Sequence, residues 1–305
     1  MSKNWVPIKG VIPPMITPFD EDGELDRGAF IENIEKWNSD RLAGYLVIGS
    51  NSETAYLNVG EKLELVKLVV KHGAPGRHIM AGTGNESLRE TLSFTKACAD
   101  LGVQSALVLT PNYYDGVMDS EHLIRFFTSL ADESPIPVLI YNVPKFTHVN
   151  IKADAVKVLS RHPNIVGMKD STGDMPQLAN FLNVADEGFQ IFTGTASAWY
   201  PALCMGVQGG VLALANCSPN ECALVQEAYD QGELDKAFQI YKALFPVNSA
   251  VTGTYGIPGL KFACDLNGYR GGHVRSPLFA CSEIGRSNIK DILDESKRKI
   301  QAIQG

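Results

Sequence analysis

The run Ile165-Val166-Gly167-Met168-Lys169-Asp170 is apolar until it reaches Lys169, and Gly167 falls on the same face of an extended chain as that lysine. Lysine is rarely buried without a partner. Lys169 therefore reads either as a solvated side chain or ion-pair partner of Asp170, or as a buried amine that attacks a carbonyl and forms a Schiff base. An earlier run, Pro137-Val138-Leu139-Ile140-Tyr141, ends on Tyr141, one strand-plus-helix length before Lys169. A phenol beside an iminium can relay protons, although a core tyrosine with a satisfied hydroxyl has the same signature. The loop Gly49-Ser50-Asn51-Ser52-Glu53-Thr54 is made of small polar residues. Such a loop can turn N–H groups and hydroxyls toward a carboxylate, or it is an ordinary turn whose Ser or Asn caps a helix.

Other chemistries are excluded by what the sequence lacks. Ala81-Gly82-Thr83-Gly84 misses the third glycine of a dinucleotide fingerprint. The six cysteines form no CxxC pair and the six histidines are scattered, so no metal is expected and the cysteines read as buried apolar thiols. The Asn-x-Ser matches at Asn85 and Asn216 would matter only in a secreted chain. Lys+Arg 27 against Asp+Glu 34 leaves a net charge of −7 without a basic block, which argues against nucleic acid or an anionic membrane as partner. No run of about 18 apolar residues occurs, and Met1-Ser2-Lys3-Asn4-Trp5 does not open like a signal peptide. A soluble cytoplasmic chain is expected.

The elements that must carry these residues recur. Eight apolar, β-branched runs are present: Val11 to Ile16, Gly44 to Ile48, His78 to Ala81, Ser105 to Leu109, Pro137 to Tyr141, Ile165 to Lys169, Gln190 to Thr193 and Gly210 to Leu214. Helical periodicity fills the gaps, with Leu63, Val66, Val69 and Val70 on one face and Ser87-Leu88-Arg89-Glu90 as a capping box. Runs that are apolar throughout indicate a parallel sheet covered on both faces. Eight of them predict a (β/α)8 TIM barrel over residues 1–218. From Pro219 the chain reads as helix alone, which predicts a C-terminal helical extension over 219–305, packed on the barrel as part of one structural unit and striped by Ile289, Ile292, Leu293 and Ile300. In a barrel, residues at the C-terminal strand ends build the site, and Lys169 and Tyr141 are such residues.

Taken together, Gly49-Ser50-Asn51-Ser52-Glu53, Thr110-Pro111-Asn112-Tyr113-Tyr114, Tyr141-Asn142-Val143-Pro144 and Gly167-Met168-Lys169-Asp170-Ser171 strongly resemble the N-acetylneuraminate lyase and dihydrodipicolinate synthase superfamily. The resemblance extends from Pro13-Pro14-Met15-Ile16-Thr17-Pro18-Phe19 to the last helices. It implies a class I aldolase, usually a homotetramer, that needs no metal or other cofactor. Lys169 matches the imine-forming lysine and Tyr141 the proton-transfer residue. Ser50 holds the place of the first hydroxyl residue in the family's carboxylate loop, where it would act with Asn51. Tyr113 matches a tyrosine that in tetrameric members reaches into the neighbouring subunit's site, and Gly194 and Leu212 match pocket-lining positions. A protonated imine is the electron sink, so the C3–C4 bond of a 4-hydroxy-2-oxo acid can break while Tyr141 takes the C4 hydroxyl proton.

Two departures bear on substrate. Dihydrodipicolinate synthases typically carry an arginine where this chain has Phe146, and an apolar ring cannot grip a carboxylate. Ser52 stands where the family usually has glycine, a change that could reshape the loop. Within the superfamily the Gly-Ser-Asn loop, Ser134-Pro135-Ile136-Pro137-Val138, the stretch from His162 to Ser171 and Gly256-Ile257-Pro258-Gly259-Leu260-Lys261 look most like 4-hydroxy-2-oxoglutarate aldolase. The partners so implied are pyruvate, or another 2-oxo acid, and an aldehyde. An aldolase or dehydratase acting on 2-keto-3-deoxy sugar acids, a dihydrodipicolinate synthase and a non-catalytic 2-oxo-acid binding protein are the alternatives. Arg270, His273 and Arg275 are expected to lie at a surface or interface.

Overall fold

Strands form where β-branched and apolar residues can be buried on both faces. The computed structural model describes residues 5–304 and places eight of them: β1 (Gly10–Ile12), β2 (Gly44–Val47), β3 (His78–Gly82), β4 (Ser105–Leu109), β5 (Val138–Asn142), β6 (Ile165–Asp170), β7 (Gln190–Thr193) and β8 (Gly209–Val211). They form one sheet in the order β1-β8-β7-β6-β5-β4-β3-β2, and every strand is followed by helix, which is the (β/α)8 TIM barrel class. The stretch Met1 to Asn4, on which the reading of the N-terminus partly rests, lies outside the described residues.

Three strands end before their apolar runs do, β2 by the single residue Ile48, whose backbone is left-handed. Pro13 and Pro14 have no N–H to give a ladder, so β1 stops at Ile12 and the chain continues through an isolated parallel bridge of Pro14 with Leu46. β8 stops at Val211 because Ala213–Asn216 coils into a 3-10 turn.

The chain divides into two compact units. One consists of His78–Val211 with the segment ending at Lys9. Here β3 to β8 pair in parallel, neighbour to neighbour. Ala106, Val108, Val138, Ile140, Met168 and Ile191 turn toward the helices and join one core with Leu123, Phe127, Val156, Leu178 and Phe181. Alternation then sends Leu107, Leu139, Tyr141, Lys169 and Phe192 to the opposite, inner face. Gly209 serves that face: a Cβ there would stand 2.5 Å from the Phe192 ring.

The other unit comprises Gly10–Arg77 and the chain from Leu212 onward. Asn216 ties it together, accepting from Ile16 N–H at 3.0 Å and donating to Pro14 O at 3.0 Å, while its own carbonyl accepts from Trp37 Nε1 at 3.2 Å. After β8 the helices are Pro219–Asp230, Leu234–Asn248, a π-helical turn Ser249–Thr254, Gly256–Leu266 and Glu283–Gln304. Ile289, Leu293 and Ile300 of the last helix are buried and Ile292 half-buried. In the helix Val59–His72 the buried stripe is Leu65, Val66 and Val69, with Leu63 and Val70 at its margins. That helix opens with a complete capping box between Asn58 and Glu61, whereas at Ser87 only the Ser87-to-Glu90 N–H half is formed.

All six cysteines are free thiols, but the expectation of uniform burial fails: Cys204 is exposed and Cys281 half-buried. Among the described residues no helix is long and apolar enough to cross a membrane.

Candidate active site

Lys169 ends the inner face of β6 with 4% of its surface exposed. It is in register with Tyr141 of β5 and Phe192 of β7. Its Nζ stands 4.3 Å from the centroid of the Tyr141 ring, and Tyr141 is itself buried. None of the ion pairs among the described residues includes Lys169. Asp170 cannot be its partner, because alternation turns it to the outer face. There it accepts from Asn142 Nδ2 at 2.8 Å, Thr172 Oγ1 at 2.6 Å and Gln177 Nε2 at 3.4 Å. Burial pushes the Asp170 carboxyl above its ordinary value, opposed by these hydrogen bonds. Asn142, paired with Asp170 across the strands, also donates to Asn150 Oδ1 and accepts from Ile151 N–H. The outer-face bridge therefore fixes the register that sets Tyr141 against Lys169.

Two glycines near the lysine face different neighbours. A Cβ at Gly167 would come within 2.2 Å of Gln190 O, so this glycine makes room for the backbone of β7 and not for the lysine. Gly194 makes that room: a Cβ there would lie 2.9 Å from Lys169 Cε and 1.9 Å from Ser171 Oγ. Ser171 Oγ is buried and has no hydrogen-bond partner among the described residues. A hydroxyl poised this way beside the lysine can accept or donate to a substrate oxygen. The sequence signal for it was its place two residues after Lys169, which by itself distinguishes nothing.

Ser50 and Asn51 belong to the other compact unit, in the 3-10 turn Ser50–Ser52 after β2. The turn lies between two non-glycine residues in the left-handed region, Ile48 at φ 53° and Glu53 at φ 55°. For β-branched Ile48 that is a true outlier, of the kind concentrated at functional loops. Ser52 is not left-handed, so the glycine usual in the family is not required for the turn. Its hydroxyl donates to Met15 O and its carbonyl accepts from Thr17 Oγ1 at 2.9 Å. Leu212 is fully buried, its N–H bonded to Ile12 O and its carbonyl to Ala215 N–H.

Tyr113 lies at the surface, 76% exposed, in edge contact with Tyr114, its backbone and that of Asn112 held by Glu86 Oε2. Phe146, on the short helix Pro144–Thr147, is 56% exposed. Arg270 makes an exposed ion pair with Glu32. Arg275 does not lie free at the surface: it is half-buried, bonds both oxygens of Glu61, and donates to the carbonyls of Gly23 and Tyr56. Its guanidinium pulls the Glu61 carboxyl below its ordinary value. His273 acts through its backbone, its N–H bonded to Phe19 O.

Residues 7–296 match the Dihydrodipicolinate synthetase family. The chain is 32% identical over 287 residues to the 4-hydroxy-tetrahydrodipicolinate synthase of Methanothrix thermoacetophila, covering 93% of this chain and 96% of that protein. With the enzyme of the same name from Methanococcoides burtonii it shares 30% over 289 residues, 94% and 98% of the two chains. Among solved structures, the 4-hydroxy-tetrahydrodipicolinate synthase of Methylacidiphilum fumariolicum SolV superposes with a TM-score of 0.90 at 27% identity, covering 98% and 99%. Dihydrodipicolinate synthase from Aquifex aeolicus gives 0.87 at 29%, covering 95% and 98%.

Proposed function

The chain belongs to the dihydrodipicolinate synthetase family, and from that premise we propose that it is a pyruvate-dependent aldolase whose Lys169 forms an imine with the ketone of a 4-hydroxy-2-oxo acid. The observation that carries this reading is the buried Lys169 amine, in no ion pair among the described residues and set over the Tyr141 ring. The amine attacks C2 and water leaves, giving the imine. The C3–C4 pair of electrons then moves into the iminium while Tyr141 takes the C4 hydroxyl proton, releasing an aldehyde and an enamine. Protonation of C3 and hydrolysis return pyruvate and the free amine. Ser50 and Asn51 are assigned the substrate carboxylate, Gly194 the space for the amine and Leu212 a lining role. Tyr113 is assigned to the site of a neighbouring subunit in a homotetramer.

The substrate we propose is 4-hydroxy-2-oxoglutarate, cleaved to pyruvate and glyoxylate. Its support is the likeness of the Gly-Ser-Asn loop and of residues 134–138, 162–171 and 256–261 to 4-hydroxy-2-oxoglutarate aldolase. Phe146 stands where synthases typically carry an arginine, so the distal carboxylate of this substrate has to be held by a group other than residue 146. Synthesis of 4-hydroxy-tetrahydrodipicolinate is the second reading, favoured by the name that the relatives carry.

Pyruvate release, coupled to lactate dehydrogenase, is to be compared for 4-hydroxy-2-oxoglutarate and for 2-keto-3-deoxy sugar acids, beside condensation of pyruvate with aspartate semialdehyde. The dicarboxylate is expected to be fastest, and borohydride with pyruvate to leave an adduct on Lys169 that Lys169→Ala abolishes. Faster condensation with aspartate semialdehyde would establish the synthase instead.

A further inference from the structure

Glu53 closes the Ser50–Ser52 turn from a left-handed backbone. Such a conformation is strained for a residue other than glycine and persists only where its surroundings enforce it. The enforcing contacts are on the side chain. The Glu53 carboxylate is completely buried; its Oε1 lies 2.6 Å from Nζ of Lys261, a side chain only 2% exposed. Its Oε2 accepts from Arg275 N–H at 2.9 Å, 222 residues further along the chain. Lys261 in turn donates to His273 O and stands 4.6 Å from the centroid of the Phe19 ring, against which the Arg275 guanidinium is also set, at 4.3 Å. Arg275 is locked by Glu61 and by the Gly23 and Tyr56 carbonyls.

A buried ion pair seldom stabilises a fold more than apolar residues of the same volume would. Its advantage is directional: a carboxylate with one oxygen on a fixed ammonium and the other on a fixed N–H has a single position. Here that position belongs to the last residue of the strained loop. We propose that Lys261 is a positioning residue, which through Glu53 holds the Ile48–Glu53 loop in the conformation that seats the carboxylate of the 2-oxo acid. The proposal rests on the assignment of Ser50 and Asn51 to that carboxylate.

The test compares two ketones, pyruvate and hydroxyacetone, trapped on Lys169 by borohydride and quantified by mass spectrometry over a concentration series. Hydroxyacetone forms the same imine but has no carboxylate to seat. Lys261→Met alone leaves the Glu53 carboxylate buried without its counter-ion and can unfold the chain, so the Glu53→Gln/Lys261→Met double variant is measured beside it, with both charges removed and both volumes kept. The folded double variant is expected to need about tenfold more pyruvate for half-maximal trapping, a displacement of well under 1 Å being enough for such a loss, and to trap hydroxyacetone as the wild type does. Unchanged half-saturation by pyruvate overturns the proposal. So does an equal loss for both ketones, which would make the pair a general structural element. A wild-type chain that traps pyruvate on no residue, or on one other than Lys169, overturns the assignment of the site and this inference with it.

Discussion

A methyl group on Gly194 would meet Ser171 Oγ at 1.9 Å and both Lys169 Cε and Ser171 Cβ at 2.9 Å. The hydroxyl and the lysine stem can rotate away, but Ser171 Cβ moves only with its backbone, so the substitution displaces both the amine and the start of the loop after β6. Gly194→Ala is expected to lower kcat about a hundredfold, the scale of a small misplacement of a reacting group, and to lower the melting temperature by a few degrees at most, on the order of 1 kcal/mol. Steady-state rates and a thermal scan on one preparation decide it: full activity would mean that the reacting amine is not held against this glycine. The place of Lys169 at a strand end was legible in the sequence, but its burial was only one of two readings there, the other being a solvated or Asp170-paired side chain. The reason for Gly194 was not legible, because its Cα faces residues of a neighbouring strand and no spacing along the chain encodes that approach.

Gly167 has the opposite consequence because what it faces is backbone. Its Cβ would lie 2.2 Å from Gln190 O and 3.1 Å from Gln190 C, so β6 and β7 would have to separate. Those strands are in register from Gly167 with Gln190 to Asp170 with Thr193, and Gly194 N–H closes on Asp170 O beyond them. Gly167→Ala is expected to destabilise the fold by about 1–3 kcal/mol, the range for overpacking a filled interior, read as a lower urea midpoint. An unaltered midpoint would show that the strands yield without cost. At this scale the sequence was informative about existence and poor about ends. Eight apolar runs mark eight strands, yet Pro13 and Pro14 shorten the first and the 3-10 turn at Ala213–Asn216 shortens the last. Apolarity reports burial, which continues past the point where the hydrogen-bond ladder stops.

Across the whole molecule the least legible features are polar contacts between distant segments. The Glu53–Lys261 and Arg275–Glu61 pairs have no local signature because each joins residues far apart in sequence, and the left-handed backbone at Ile48 and Glu53 falls on residue types that do not announce it. His78 is another such case, and it makes the stability of the chain depend on pH. At the start of β3 its ring is in edge contact with Trp5 and its Nε2 is bonded to Ser105 Oγ, and burial pushes its pKa down to about 4 from an ordinary 6.5. A depressed histidine pKa means that the folded chain resists a proton which the unfolded chain accepts. Between about 6.5 and about 4 the unfolded state binds more protons, so stability falls with falling pH through that window and levels off below it. The full loss from this one group is at most on the order of 3 kcal/mol. Burial raises the Asp170 carboxyl, an effect of opposite sign that favours the folded state in acid, and the lowered Glu61 carboxyl acts in the same sense as His78. The comparison that isolates the histidine is therefore between wild type and His78→Gln, whose amide can still reach Ser105. Urea midpoints taken from pH 7 to pH 4 are expected to fall more steeply for the wild type, the two curves diverging below about pH 6.5. Parallel curves would mean that His78 takes up its proton in the folded chain as readily as in the unfolded one.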